Sequence, residues 1–157
     1  MEADVLLFKR EKGKILIPLF SERIHAGFES PATDYQEERI DLNEYVTKYP
    51  DATFYARVIG DCMINSGIFD GDLLVVDKSL IPQNGDIVVG ILESEFILRA
   101  YYRFGKDEYL MPDNPNYSPI KRSEGTFFEI WGVVPFTVHN QQTNRNVRIN
   151  RLQQLLR

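Results

Sequence analysis

From residue 53 onward the sequence repeats one pattern, in which short runs of β-branched and aromatic residues are each followed by residues that favour turns. Such runs are typical of β-strands, and turn signals such as Asp-Gly between them are typical of antiparallel neighbours. The pattern therefore restricts this part of the chain to a mainly β fold. The predicted strands cover residues 53–59, 73–76, 87–92, 96–102 and 127–138, and a kink is expected at Pro135 in the last of them.

The segments on either side of this β region have a different composition. Residues 15–40 mix Pro, Gly, Ser and charges without a clear period, which predicts an extended N-terminal arm. The run Asp41-Leu42-Asn43-Glu44 resembles a capping box and predicts one short helix that ends before Pro50. We expect three parts, namely the arm over 1–40, a β domain over 41–140, and a basic C-terminal tail over 141–157 with near-helical apolar spacing.

The net charge of −5 argues against general nucleic-acid binding. The charge is uneven, because residues 141–157 contain four arginines and no acid, which leaves −9 for residues 1–140. Any basic contact surface is therefore expected in the tail rather than in the body. The sequence has no helix-turn-helix pattern, and we expect no direct sequence-specific DNA binding.

Cysteine usage and hydropathy indicate the compartment. A single cysteine excludes an internal disulfide and is typical of a reducing cytoplasm. No apolar run approaches the ~20 residues of a membrane span, and no basic segment followed by an apolar stretch begins the sequence. We therefore expect a cytoplasmic protein without membrane contact.

Several residues of metal-ligating type have plainer interpretations. His25 and His139 are isolated in the sequence, and we expect both to be exposed. Four aspartates sit at turns and strand ends, where this residue commonly accepts hydrogen bonds from backbone amides. We therefore expect neither a metal nor another cofactor. These aspartates are Asp70, Asp72, Asp77 and Asp86.

One motif carries the chemistry: Gly60-Asp61-Cys62-Met63, followed 37 residues after its cysteine by Arg99 in Glu95-Phe96-Ile97-Leu98-Arg99. Other motifs occur with it in a fixed order, namely Pro18-Leu19-Phe20-Ser21, Ala26-Gly27-Phe28, Arg39-Ile40-Asp41-Leu42-Asn43, Asp70-Gly71-Asp72-Leu73-Leu74-Val75-Val76-Asp77, Gly85-Asp86-Ile87-Val88 and Gly132-Val133-Val134. Through this ordered set the chain resembles the UmuD and LexA family of self-cleaving SOS proteins, and UmuD most closely.

The resemblance implies a homodimer with a curved antiparallel β domain of the LexA/UmuD type and a mobile N-terminal arm. The arm of such proteins carries an Ala-Gly or Cys-Gly bond that the β domain cuts when a RecA filament stimulates it, and Ala26-Gly27 occupies that place here. The implied partners are a UmuC-like translesion polymerase, a RecA filament and a cleavable UmuD-type subunit in mixed dimers. LexA-like repressors add a DNA-binding domain, for which we expect no room before Ile15.

The resemblance also assigns the catalytic positions, and both hold altered residues. The family uses a serine nucleophile and a lysine base, whereas this chain has Cys62 and Arg99. A guanidinium stays protonated in proteins, so Arg99 cannot act as the base. A neighbouring cation favours a thiolate, but cleavage also needs a proton donor for the leaving amine, a role that His25 could take only in a new geometry. In the plainer interpretation Cys62 is a half-buried residue and Arg99 a strand cation paired with Asp61 or Glu95.

These residues predict a UmuD-like protein of the DNA-damage response that cleaves itself poorly or not at all and acts through protein–protein contacts. Two alternatives stay open. The first is an active self-peptidase that uses Cys62, which would shorten the chain at Ala26-Gly27. The second is a regulatory partner of a LexA-like repressor, which would form mixed dimers without a polymerase.

Overall fold

The computed structural model of the chain describes residues 13–20 and 37–157. The expected cleavage bond at Ala26-Gly27 and the histidine His25 lie outside these residues. The chain divides into two compact units, residues 1–45 and residues 46–157.

The first unit contains a small antiparallel pair of strands and the start of a short helix. Strand β1 (Ile17–Phe20) pairs with strand β2 (Glu37–Ile40), a pairing that the sequence did not predict, and helix α1 (Leu42–Val46) follows. The Asp41 carboxylate accepts hydrogen bonds from the amides of Asn43 at 2.8 Å and Glu44 at 3.3 Å. These are the bonds of an N-cap, so the predicted helix start is confirmed. Glu44 pairs with Lys14 at 2.7 Å rather than returning to the cap.

The second unit contains a seven-stranded antiparallel sheet, so the predicted mainly β class is confirmed. Within the sheet the order is β3-β4-β9-β5-β6-β7-β8, and the longest strand lies between β4 and β5. In chain order the strands are β3 (Thr53–Arg57), β4 (Leu73–Asp77), β5 (Ile87–Leu92), β6 (Glu95–Phe104), β7 (Asp107–Met111), β8 (Ile120–Lys121) and β9 (Phe128–Val138).

The structure extends and corrects the predicted strands. Strands β7 and β8 were not predicted, and β6 continues to Phe104, where a tight turn through Gly105 leads back into β7. The charged residues of this hairpin hide its period because they lie on solvated parts of the sheet. Pro135 lies inside β9, where the pairing with β4 shifts register between Val75 and Asp77. A proline cannot donate to the ladder, which explains an irregularity at this position.

Two hydrophobic clusters form the core of the second unit. Successive residues of a strand point to opposite faces of the sheet, so Val88 and Val89 of β5 belong to different clusters. The cluster around Val89 includes Cys62 and Met63, so it lies beneath the predicted catalytic loop. Gly132 permits close packing there, because a Cβ at this position would lie 2.6 Å from Val76 Cγ1.

The basic tail contains helix α2 (Arg145–Leu155), and none of its residues is buried in the described structure. In residues 13–20 and 37–157 no helix is both long enough and apolar enough to cross a membrane.

Candidate active site

A turn at Gly60 carries the chain from β3 into the loop that contains Cys62. Gly60 has φ +94°, a conformation that glycine adopts without strain, and its amide donates to Asp70 Oδ1 at 2.8 Å. Met63, only 1% exposed, anchors the far side of the loop in the core. A short 3₁₀ helix, Ile64–Ser66, follows. The loop thus fixes Cys62 between a constrained turn and a buried side chain.

A second loop holds the first one in place. The Asp113 amide donates to the Cys62 carbonyl at 2.9 Å, and the Asn65 amide donates to the Asp113 carbonyl at 3.1 Å. Asn114 is buried, and its side-chain Nδ2 donates to the Asp61 carbonyl at 2.9 Å. Sequence reasoning gave these two residues no role, although Pro112 and Pro115 around them mark a loop.

The structure brings Cys62 and Arg99 together at one backbone carbonyl. The Cys62 thiol donates to the carbonyl oxygen of Leu98 at 3.2 Å, and Arg99 Nη1 donates to the same oxygen at 2.7 Å. Cys62 is only 8% exposed, whereas Arg99 is half-buried. The two residues predicted at the catalytic positions are therefore neighbours, and the acceptor that the Cys62 thiol contacts is a backbone carbonyl.

The predicted carboxylate partner of Arg99 is not found in the described structure. Instead, its guanidinium lies over the Tyr117 ring, 5.5 Å from the centroid, and Tyr117 donates its hydroxyl proton to Asp61 at 2.7 Å. No ion pair joins Arg99 to Asp61 or Glu95 within the described residues, so that pairing prediction is wrong for this part of the chain. Arg99 Nε is buried and has no hydrogen-bond partner among the described residues.

Burial decides the protonation of Cys62. Desolvation raises the pKa of the thiol above its ordinary value, and the nearby Arg99 guanidinium lowers it by less. The carboxylate of Asp61 adds to the rise because a second negative charge nearby disfavours a thiolate. At neutral pH the site therefore holds a protonated thiol beside a permanent cation.

The described contacts of Cys62 and Arg99 include no group that could take the thiol proton. A thiol must lose its proton before it attacks a carbonyl carbon, and the acceptor that it touches is a backbone oxygen of negligible basicity. Arg99 can stabilise negative charge but cannot shuttle a proton.

The four aspartates accept hydrogen bonds from the backbone or from neighbouring side chains, as expected. Asp70 and Asp86 each accept one backbone amide, from Gly60 and Gln83 respectively. Asp77 accepts both the amide and the hydroxyl of Ser79. Asp72, the fourth, accepts the amide of Phe69 at 2.9 Å. In the described part of the chain no group of three or more His, Cys, Asp or Glu could hold a metal ion.

The prediction that His139 is isolated and exposed is wrong. Its Nδ1 pairs with Asp72 Oδ1, and its ring packs against Phe69 with centroids 4.9 Å apart. Asp72 is 2% exposed and His139 is half-buried, so only the carboxylate side of this contact is fully shielded from water. The Asp-Gly-Asp motif predicted only a turn, and nothing in it indicated a partner 67 residues away.

Comparison with known proteins identifies the family of the chain. The family model described as Peptidase S24-like matches residues 18–135. Protein SamA of Salmonella typhimurium is 43% identical over 126 residues, which cover 80% of this chain and 87% of SamA. Protein ImpA of Escherichia coli is 39% identical over 134 residues, which cover 82% and 87%. Protein MucA of Escherichia coli is 40% identical over 120 residues, which cover 75% and 81%.

The chain belongs to the Peptidase S24-like family. The predicted resemblance is thus confirmed at the level of the family, and so is the LexA/UmuD type of fold.

Proposed function

We propose that this protein is a UmuD-like subunit of the SOS and translesion-synthesis machinery that is defective in self-cleavage. It acts through contacts with a UmuC-like polymerase, a RecA filament or other UmuD-type subunits. The family membership and the similarity to SamA, ImpA and MucA support the class. The altered pair at Cys62 and Arg99 supports the defect.

The proposed defect in self-cleavage rests on which group accepts the hydrogen bond of the Cys62 thiol. Cys62 donates it to the Leu98 carbonyl, and burial raises the pKa of the thiol. A serine/lysine pair works because a buried lysine can be neutral and accept the proton, which a guanidinium cannot do. In this proposal Cys62 stands at the nucleophile position, and Arg99 beside it cannot accept its proton.

Mass spectrometry of the purified full-length chain tests this proposal. The protein is incubated with RecA, an ATP analogue and single-stranded DNA, and the expected result is an unchanged mass. Release of a fragment ending at Ala26, at a rate comparable to a serine/lysine homologue in the same reaction, would overturn the proposal and favour an active peptidase that uses Cys62. The serine/lysine homologue is the control that the filament is active.

Without cleavage the protein keeps its arm and can restrain mutagenic synthesis by pairing with cleavable subunits. This role predicts that co-expression with a cleavable UmuD-type subunit lowers damage-induced mutation and that the two chains co-purify. If the chain binds neither such a subunit nor a UmuC-like polymerase, the role fails and a regulatory partner of a LexA-like repressor replaces it.

A further inference from the structure

The tail helix α2 has two chemically different halves. With about 3.6 residues per turn, its arginines and most of its apolar residues fall on one half of the surface, while four amides and Val147 fall on the other. Every residue of α2 is exposed in the described structure, Leu152 by 58% and Leu155 by 78%. The first half, called the arginine–leucine face, consists of Arg145, Arg148, Ile149, Arg151, Leu152 and Leu155. The amide half includes Asn146, Asn150, Gln153 and Gln154.

Contacts at the start of the tail fix where α2 begins. His139 follows directly after β9 and pairs with the buried Asp72. Asn144 Nδ2 lies 3.4 Å from His139 Nε2, and Arg148 Nη1 donates to Gln141 Oε1 at 3.0 Å. The helix therefore begins close to the end of β9, and every residue of its arginine–leucine face is exposed.

The opposite end of β9 carries the complementary chemistry. Three acids and an aromatic ring gather around the β5–β6 turn, and we call them the acidic end of the sheet. Ile91 of β5 is flanked by Phe96 on one side and Glu129 on the other. Phe96 is 62% exposed and stacks on Trp131 with centroids 4.6 Å apart. The set is Glu93, Glu95, Phe96 and Glu129, and none of its acids forms an ion pair with a described residue.

Geometry prevents α2 from covering the acidic end of its own sheet. Glu129 and Val138 are nine residues apart on β9, a span of about 30 Å at the usual rise of a strand. Helix α2 has 11 residues and is about 16 Å long, and it begins at the Val138 end. The acidic end that it can reach therefore belongs to another molecule.

We infer that the arginine–leucine face of α2 docks on the acidic end of the sheet in a second copy of this chain. Charge favours this occupant, since the tail carries +4 and residues 1–140 carry −9. The net charge of −9 on residues 1–140 also disfavours phosphate backbones and anionic lipid surfaces as partners. A two-fold axis would let each helix cover the acidic end of the other copy. Both arginine–leucine faces and both acidic ends would then be paired in a closed dimer. The family match covers residues 18–135, so helix α2 lies outside the matched region and the acidic end lies inside it.

Photo-cross-linking of the full chain tests the inference. A benzoylphenylalanine replaces Leu152, and equal amounts of ¹⁵N-labelled and unlabelled protein are mixed before irradiation at micromolar concentration. The expected product joins position 152 to peptides containing residues 93–96 or 127–131 of the oppositely labelled copy. Cross-links that stay within one copy, or that reach another surface of the second copy, would overturn the inference. The experiment needs no cleavage and no SOS partner, so its failure leaves the proposed function standing.

Matched variants show whether the face or the net charge is responsible. Arg145→Gln with Arg151→Gln and Asn146→Glu with Asn150→Glu each lower the net charge by two, but only the first pair alters the arginine–leucine face. The first pair should reduce the intermolecular cross-link about tenfold, while the second leaves it within about twofold. Equal losses in both would overturn the inference, because the whole-molecule charge would then be the cause.

A charge swap gives a further check with the same cross-linking readout. Arg145→Glu with Arg151→Glu, and separately Glu93→Lys with Glu95→Lys, should each lose the intermolecular cross-link. Mixing the two variants should restore it between unlike copies, because the opposite charges then face each other again. No restoration in the mixture would show that these two surfaces do not meet.

Discussion

The Cys62–Arg99 site and the Asp72–His139 pair lie in the same unit, and each lacks what the other has. The first has a protonated thiol beside a guanidinium, which cannot accept its proton. The second has an imidazole that contacts a carboxylate, but its described contacts include no hydroxyl or thiol. Residue type alone therefore does not define a catalytic site, and the neighbours of each group decide its role.

The two sites also differ in how their polar groups are satisfied. Asp72 accepts the Phe69 amide and pairs with His139, so it ties a turn after β3 to the end of β9. Cys62 makes one weak hydrogen bond through its thiol, and its loop is held by backbone contacts that do not involve the sulfur. We therefore expect replacement of the sulfur to cost less stability than replacement of the carboxylate.

The largest expected effect comes from restoring the missing proton acceptor. Cys62→Ser with Arg99→Lys should restore cutting at Ala26-Gly27 under RecA stimulation, with a rate at least about a hundredfold above the native chain, which is what general-base catalysis supplies. Arg99→Lys alone should restore part of it, because a neutral lysine can also activate a thiol. Mass spectrometry of the cleaved chain measures the rate.

Cys62→Ser alone is the control for this rescue, since it changes the nucleophile and keeps the guanidinium. It should stay uncut. If the double variant folds and also stays uncut, the Cys62–Arg99 site lacks more than a base. The difference from the Asp72–His139 pair would then not account for the absent cleavage, and docking of the arm would have to.

The next largest effect is on stability. Asp72→Asn removes the charge that faces His139 and should lower the free energy of unfolding by about 2–4 kcal/mol, as for other buried polar partners. Asp70→Asn is the matched control, because Asp70 also accepts one backbone amide but is exposed, and its cost should be below about 1 kcal/mol. Urea unfolding measures both, and equal costs would show that the buried pair has no special role.

A smaller effect concerns the reactivity of the single cysteine. Because burial raises the pKa of the Cys62 thiol, iodoacetamide should modify the native protein at pH 8 at least about tenfold more slowly than the urea-unfolded chain. Arg99→Gln should slow it further, since the guanidinium lowers this pKa. A rate equal to that of the unfolded chain would mean that the thiol is neither buried nor perturbed.

The raised pKa of the Cys62 thiol also determines how the stability of the protein changes with pH. The folded chain binds the thiol proton more tightly than the unfolded chain, so the stability that this group contributes is complete below the unfolded pKa, about 8.5. It is lost as the pH rises through the higher folded pKa. Cys62→Ser should therefore flatten the stability curve in the alkaline range, and an unchanged slope would contradict the assignment.

Signals between residues close together in the sequence were sufficient to predict most of the strands. Contacts between residues far apart in the sequence could not be predicted. The strands 73–77 and 87–92 were predictable because their apolar runs and turn residues are adjacent in sequence. The Asp72–His139 contact joins residues 67 apart, and the Tyr117–Asp61 bond joins residues 56 apart. Periodicity carries no information about such partners, so sequence reasoning placed Arg99 opposite a carboxylate instead of over an aromatic ring.

The smallest effect separates the two functions of Tyr117. Tyr117→Phe removes the hydroxyl that donates to Asp61 but keeps the ring beneath Arg99, and the site is exposed on this side, so stability should change by less than about 0.5 kcal/mol. Tyr117→Ala also removes the cation–π contact and should cost about 1 kcal/mol. It should free the guanidinium to leave Cys62, and alkylation should then slow as in Arg99→Gln, while Tyr117→Phe leaves the rate unchanged. If both variants slow alkylation equally, the hydroxyl rather than the ring positions Arg99, and the cation beside Cys62 is then held through Asp61.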